Sequence, residues 1–449
     1  MPPSSLVAPI GYSRSTCNYC DPSLKLIEKK TSCTYGAWAY DLSPYEYQDL
    51  IDSNWRRSGL YLYKPDNLRT CCAHLTIRLK AEDYRPGKQQ RRSLARLYWD
   101  VRGAQRPSKK KGKDNAKFGL PKRWAQIEST ADEVSKVANN SQMSGSNRIT
   151  KCLKTSLVPS TFTAEKYSLF RRYQIAIHSQ SPGDVSSEAG FTRFLVDSPI
   201  RRMLPTASDT STEEAVPYGS YHHEYRLDDK LIAVGVLDIL PHCVSSVYLF
   251  YDPAFSHLNL GTISAMREIL LVQQLQQRPN MQDLEFYYLG YYIHDCQKMK
   301  YKSQYKPSEL LDLRDGTWRH FDSVKPALDR GVRFDFNSST AAFRDHGHRK
   351  YSVEGPATPS SSIPSPAPPG FLDLSAVANP SAISQWANIF VIDADAQEQG
   401  AQPLLVLPYV LAGKMTSTAK GAKACNFIAA TGFEIVSRCI LFLIGDDGN

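Results

Sequence analysis

Two pairs of cysteines are the residues best suited to chemistry in this 449-residue chain. Cys17-Asn-Tyr-Cys20 is a CxxC, a tight turn that sets two sulfurs on one side of a loop. A second pair, Cys71-Cys72, is adjacent in sequence, and both sulfurs can ligate where the chain bends. Four soft ligands suit Zn²⁺ or an iron–sulfur cluster. Cys33 is near enough to serve as an alternate ligand. The plainer alternative is a set of buried thiols, because free cysteine is among the most buried residue types. Cys152, Cys243, Cys425 and Cys439 stand apart and read as ordinary thiols.

The second chemical feature is a block of cations. Residues 85–123 hold 14 Lys and Arg against 2 acids, a local charge of +12 that exceeds the +9 of the whole chain. Such a block suits a polyanion such as RNA, where counterion release supplies affinity. A solvated linker and a nuclear-localisation patch are the competing readings. The chain has no apolar run long enough to cross a membrane, so no membrane association is expected. Its start, MPPSSLVAPIGYSRS, lacks a charged and then apolar secretory leader. The expected location is therefore cytoplasmic, with the nucleus also open to it. Ten cysteines in that compartment read as thiols or metal ligands rather than disulfides.

The elements that must position these groups follow from patterning. Residues 1–14 read as a disordered lead. A small Cys-rich domain is expected over 15–84. In it, Ser43-Pro44 opens a helix, and Tyr61–Tyr63 and Leu75–Leu79 alternate as strands. The basic block and a Ser/Asn-rich stretch make 85–155 an insertion of low order. A second domain is expected over 160–318. There Leu231–Leu240 is an apolar run suited to a strand buried on both faces. Val247–Tyr251 is a further strand, Gly261–Gln277 an amphipathic helix, and Leu284–Ile293 an aromatic-rich strand. Residues 355–370 are Pro/Ser-rich and linker-like, and 355–449 carries no motif. The fold class is α+β or α/β: the Cys-rich domain, then a mixed sheet with flanking helices.

That second sheet resembles the acyl-CoA N-acyltransferase fold. In that fold a Gly-rich turn at a helix N-terminus binds the CoA pyrophosphate. Here the turn is His257-Leu-Asn-Leu-Gly261-Thr-Ile, with one glycine and no basic start. The departure speaks against CoA and for another activated acyl donor.

Longer motifs lie in both expected domains. The N-terminal ones are Cys17-x-x-Cys20, Tyr35-Gly-Ala-Trp38, Trp55-Arg-Arg-Ser-Gly59, Tyr61-Leu-Tyr-Lys-Pro65 and Thr70-Cys-Cys-Ala-His-Leu-Thr-Ile-Arg78. The C-terminal ones are Gly219-Ser-Tyr-His222, Leu231–Pro241, Ser245–Pro253 and Gly290-Tyr-Tyr-Ile-His294-Asp-Cys296-Gln-Lys-Met-Lys300-Tyr-Lys302. Together these motifs resemble the arginyl-tRNA-protein transferase family. The chain departs from the family pattern at Ala73, where proline is usual, and at Asp295–Lys300, where Ser-Cys-Pro-Lys-Met-Arg is usual. The resemblance implies transfer of arginine from arginyl-tRNA to the α-amino group of proteins beginning with Asp, Glu or oxidised Cys. Its product is a signal for ubiquitin-dependent degradation, the N-degron pathway. The implied cofactor is an iron–sulfur cluster or Zn on Cys17, Cys20, Cys71 and Cys72, with no CoA.

The resemblance also suggests roles for charged groups. Arg78 would meet the acceptor carboxylate or the tRNA end, because arginine binds oxyanions bidentately. Arg56 and Arg57 would contact tRNA phosphates, and Lys300 and Lys302 would border the cleft. His222 would accept the amine proton or bind the acceptor. Asp238 or Asp252 would orient the amine or recognise the arginyl guanidinium. Each has a plainer alternative as a capping, packed or solvated group. Two other functions remain open at this point: a CoA-dependent N-acyltransferase, and an inactive metal-bearing RNA-binding or redox-sensing protein.

Overall fold

A computed structural model describes residues 4–20, 30–102, 120–128, 151–205, 216–336, 362–379, 383–393, 407–408 and 419–444. The chain opens with strand β1 (Ser5–Ser15), paired antiparallel with β2 (Ser32–Asp41). The first residues are therefore a central strand and not a disordered lead; Val7, Ala8 and Tyr12 are buried. Helix α1 (Pro44–Asp52) follows, with the Ser43 hydroxyl accepting from the Tyr45 amide and Pro44 in the first turn, as the sequence predicts. Then come β3 (Arg56–Ser58), β4 (Tyr61–Pro65) and β5 (Leu75–Lys80). The segment 15–84 does not stay in one sheet: β5 leaves its neighbours and pairs far along the chain.

The basic segment folds in part. Helix α2 (Lys88–Val101) buries Gln90, Ser93, Leu94, Leu97 and Val101 on one face, and α3 (Leu120–Ile127) buries Leu120, Trp124 and Ile127. The order there departs from the expectation of a loose insertion because an apolar helical stripe runs beneath the charges. The rest of that expectation, residues 103–119 and 129–150, falls outside the described residues. Strand β6 (Leu153–Pro159) and helix α4 (Ala164–His178) come next, the latter capped by Thr163 on the Lys166 amide.

The second sheet continues with β7 (Gly219–Leu227), β8 (Lys230–Ile239) and β9 (Cys243–Tyr251) as an antiparallel meander. Helix α5 (Leu260–Gln276) crosses over to β10 (Phe286–Tyr292), which lies parallel to β9. Helix α5 is buried nearly all round, so α2 and α3 cover the side turned away from the sheet. Strands β11 (Glu309–Leu311) and β12 (Trp318–His320) and helix α6 (Phe321–Asp329) finish this part. The strand order is β12-β11-β5-β10-β9-β8-β7-β6.

The C-terminal region folds back onto the first sheet. Strands β13 (Phe390–Asp393) and β14 (Leu407–Pro408), helix α7 (Ala419–Thr431) and β15 (Cys439–Leu443) give the order β14-β13-β15-β1-β2-β4-β3. Strand β15 runs parallel to β1, with Ser5 opposite Cys439. Tyr35, Trp55, Phe427, Ile428, Val436 and Leu441 share one core. Lys64 points into that core and donates to the carbonyls of Gly370 (2.5 Å) and Ala430 (2.8 Å). Burial pushes its pKa down to about 7. Among the described residues no helix is long and apolar enough to cross a membrane.

Candidate active site and metal centre

Parallel strands β9 and β10 are in register only at Phe286–Cys243, Tyr287–Val244 and Tyr288–Ser245. Beyond these, β9 runs on to Tyr251 and β10 to Tyr292 without pairing to each other. The cause is local. Gly290 has φ +69°, a left-handed conformation natural to glycine, and the register against β5 shifts between Tyr288 and Tyr291. Where two strands part, their facing N–H and C=O groups lose ladder partners and become available to a ligand. A split of this kind can hold an extended acyl donor and present amide donors to a developing oxyanion.

Charged groups gather at the split. A Cβ on Gly290 would lie 3.8 Å from the Lys302 Nζ and 3.9 Å from the Ser246 carbonyl oxygen, so both face that glycine. Lys302 donates to the Tyr291 carbonyl at 2.7 Å. Burial, and then Arg56, pushes its pKa down to about 7. The buried Arg56 guanidinium donates to the Gly290 carbonyl at 3.2 Å and lies 4.9 Å over the Tyr291 ring, and its Nε has no partner among the described residues. From α5 below, Glu268 accepts from the Tyr287 hydroxyl at 2.5 Å and hydrogen-bonds Ser246. Burial pushes its carboxyl up to about 6, against the pull of Tyr287 and Ser246.

The four cysteines meet beside this split. The sulfurs of Cys17, Cys20, Cys71 and Cys72 lie within 4.8 Å of one another, with Cys20 3.2 Å from Cys71. The group could hold a metal ion. A tetrahedral ion with Zn–S bonds of about 2.3 Å needs its sulfurs about 3.8 Å apart, and the observed spacing fits that. A multi-iron cluster spreads its cysteines wider, because they bind different irons. The thiols compete for protons: hydrogen bonds with Cys17 and Cys72 pull Cys71 down, while those with Cys17 and Cys71 push Cys72 up. Cys33 lies on the buried side of β2, where its carbonyl accepts from the Asp66 amide. An aromatic path joins the sulfurs to the split: Tyr19 packs on His74 and His74 on Tyr291, each at 5.2 Å.

The other sequence-derived candidates sit elsewhere. Arg57 and Asp238 form a buried bidentate pair at 2.8 and 2.6 Å, tying β3 to β8. Arg78 is held by Glu309 at 3.0 Å and sandwiched between Phe286 and Trp318, at 3.9 and 3.7 Å. His222 is fully buried, with its Nε2 3.0 Å from the Leu195 carbonyl. Burial pushes its pKa down to about 4. Asp252 caps the turn at Ala254 and pairs with Lys230 and Arg172; these outweigh burial and hold its carboxyl below the usual range. Lys300 is exposed on the short helix after Cys296. Of the eight non-cysteine candidates, the split gathers Arg56 and Lys302. Glu268 escaped sequence reasoning. Its signal was a charged pair, Arg267-Glu268, inside an otherwise apolar helix.

The turn before α5, where a CoA pyrophosphate would be sought, is covered by α2. The Asn259 side-chain Nδ2 donates to the Ser93 hydroxyl at 3.0 Å, and Arg96 donates to the His257 carbonyl at 2.6 Å.

Residues 15–92 match the N-terminal family model described as arginine-tRNA-protein transferase, and residues 165–312 match its C-terminal counterpart. Arginyl-tRNA-protein transferase 2 of Arabidopsis thaliana is 30% identical over 73% of this chain and 76% of its own length. Arginyl-tRNA-protein transferase 1 of Drosophila melanogaster is 30% identical over 75% of this chain and 87% of its own length. An aspartate/glutamate leucyltransferase of Pseudomonas putida is 30% identical over 59% of this chain and 79% of its own length.

Proposed function

The chain belongs to the arginine-tRNA-protein transferase family, and from that membership we propose that it moves arginine from arginyl-tRNA to proteins beginning with Asp, Glu or oxidised Cys. The observation that carries the proposal is that the two segments matched by the family meet at the split between β9 and β10. The acidic acceptor class has separate support in a relative named for aspartate and glutamate. Arginine added to such proteins marks them for ubiquitin-dependent degradation.

The reaction is aminolysis of an ester. The acceptor α-amine, whose pKa lies near 7.7–8, attacks the carbonyl carbon of the arginyl ester. A C–N bond forms, the ester C–O bond breaks, and the ribose hydroxyl leaves carrying a proton. The product amide is more stable than the ester, so no ATP is needed. Arg56, buried and with its Nε unpartnered, is suited to the acceptor's side-chain carboxylate. In its protonated form Lys302 keeps two N–H donors beyond its bond to Tyr291, enough to meet the carbonyl oxygen. Glu268 is suited to take the amine proton, with a pKa raised toward the working pH. Exposed Arg85, Lys88, Arg91, Arg92 and Arg96 on and beside α2 are suited to tRNA phosphates.

Cys17, Cys20, Cys71 and Cys72 would hold a Zn ion or an iron–sulfur cluster, and their spacing suits a single tetrahedral ion. Bound there, the ion would cross-link the loop at 17–20 to the one at 71–72 and so steady Tyr19 and His74 beside the split.

The test pairs labelled arginyl-tRNA with peptides that begin with Asp or with Ala, and runs leucyl-tRNA in parallel. Label should enter the Asp peptide from arginyl-tRNA. Transfer to neither peptide by folded protein overturns the proposal. Metal analysis of the same sample should return one ion per chain, lost on Cys71→Ser with Cys72→Ser. Unchanged metal content in that variant rejects the ligand set.

A further inference from the structure

Strand β2 alternates as a half-buried strand should, with Tyr35, Ala37 and Ala39 fully buried. Its other face carries Gly36, Trp38 and Tyr40, and the last two are 44% and 48% exposed. Water-facing strand positions are ordinarily polar, so exposed aromatic rings here call for a partner. Register sets Tyr61 of β4 opposite Trp38 and Tyr63 opposite Gly36, which places both tyrosines on the same open face.

Tyr61 lies flat on the sheet. A Cβ on Gly36 would come within 2.2 Å of the Tyr61 hydroxyl oxygen and under 3 Å of two ring atoms, so glycine alone gives it room. Hydrogen bonds to Ser13 and Thr34 hold its far end. Tyr63 lies nearly parallel to it, at 15° with centroids 6.2 Å apart, and the Trp38 ring meets it edge-on with centroids 5.4 Å apart. Tyr63 then meets Tyr291 at 6.2 Å, and Tyr291 lies under the Arg56 guanidinium. A row of rings thus runs from open surface to the split, with a cation at its inner end.

We infer that Trp38, Tyr61 and Tyr63 form a stacking platform for the unpaired 3′ end of the donor tRNA. The inference rests on arginyl-tRNA being the donor. The reactive ester sits on the last nucleotide, so the unpaired nucleotides before it must cross a surface that adjoins the split. This face adjoins it through Tyr63 and Tyr291. Aromatic side chains on a sheet stack two or three bases in other RNA-binding folds. Such stacking tolerates any base, because every base has a π-face.

The experiment measures binding of full-length protein to uncharged tRNA with its 3′ end intact and to the same tRNA lacking its last three nucleotides. Wild type should prefer the intact form by about tenfold or more, the scale of one or two stacked bases. Trp38→Ala should remove most of that preference and leave binding of the trimmed tRNA unchanged; Trp38→Phe should restore it. Trp38→Ala should also raise the KM for arginyl-tRNA about tenfold, with far smaller changes in kcat and in the acceptor KM. Trp38 is exposed, so its removal leaves the core intact; Tyr61→Leu gives a second test of the same loss. A preference for intact tRNA that survives both substitutions overturns the platform. A rise in the acceptor-peptide KM alone also overturns it and assigns the face to protein. Transfer by wild type is scored separately: without it the donor reading fails, and with it the platform stands or falls on the variants.

Discussion

Glu268 is a carboxylate enclosed by apolar residues of its own helix and roofed by the sheet, with a glycine at 235 making room for its oxygen. Its folded pKa is about 6 against an ordinary 4.5, so the ionised form costs about 2 kcal/mol in the native state. The sign follows from the direction of the shift. The cost is absent below about pH 4.5, builds as the pH rises to about 6, and is complete above that. Glu268→Gln should therefore stabilise the fold at pH 7 by about 1–2 kcal/mol in chemical denaturation. It should also slow transfer by about 100-fold or more and erase an acidic limb near pH 6 in the rate profile. Lower stability together with unchanged transfer would make Glu268 a packing residue. The sequence revealed the cysteines and Lys302 because their types or motifs are chemically distinctive. It did not single out Glu268, because a charge in a helix is usually solvated, and only the covering by the sheet makes this one buried. The same blindness runs the other way for Asp238, His222 and Arg78. Their types suit catalysis, but partners distant in sequence hold the Asp238 and Arg78 side chains, and His222 is buried with its Nε2 against the Leu195 carbonyl.

At the scale of elements, α2 shows how charge can hide a helix. Gln90, Ser93, Leu94, Leu97 and Val101 recur at helical spacing and are all buried, while Arg91, Arg92 and Arg96 face water. Composition correctly marked the segment as basic, but the density of cations masked the apolar stripe that orders it. The reason for the order lies in α5, whose outer side is too apolar to leave bare. The strands and helix of the transferase core were legible because a doubly buried strand and a crossover helix have strong periodic signatures. The split between β9 and β10 was not, because loss of pairing leaves no mark beyond a single glycine at 290. If α2 meets tRNA phosphates, Arg91→Glu with Arg92→Glu should leave thermal unfolding unchanged. The pair should weaken tRNA binding and make its logarithmic salt dependence shallower by about two. An unchanged slope in a salt titration would remove these residues from the phosphate contacts.

At the scale of the whole molecule, the C-terminal region supplies three of the seven strands of the first sheet. It carries no motif, and pairing between β1 and β15 joins opposite ends of the chain, so nothing local announced it. The packing is nonetheless extensive. Phe427, Ile428, Val436 and Leu441 fill the core around Tyr35 and Trp55. Arg438 pairs with Asp49, and the Ile363 amide is bound by the Asn426 side chain at 2.6 Å. Lys64 is buried with two carbonyl partners that both belong to this region. Emptying one large core position costs about 2–5 kcal/mol, and a domain's whole stability is about 5–15 kcal/mol. Removing residues 362–449 would empty several such positions at once. It would also leave Lys64 without acceptors and expose the edge of β1 to foreign strands. A chain ending at residue 361 should therefore aggregate, although both family-matched segments lie entirely within it. Size-exclusion chromatography of the two lengths checks this. Co-expression of residues 362–449 as a separate chain should return soluble, transferring protein, because the lost contacts are noncovalent. A truncated chain that elutes as a monomer and transfers arginine at the full-length rate would show instead that the first sheet needs only its N-terminal strands.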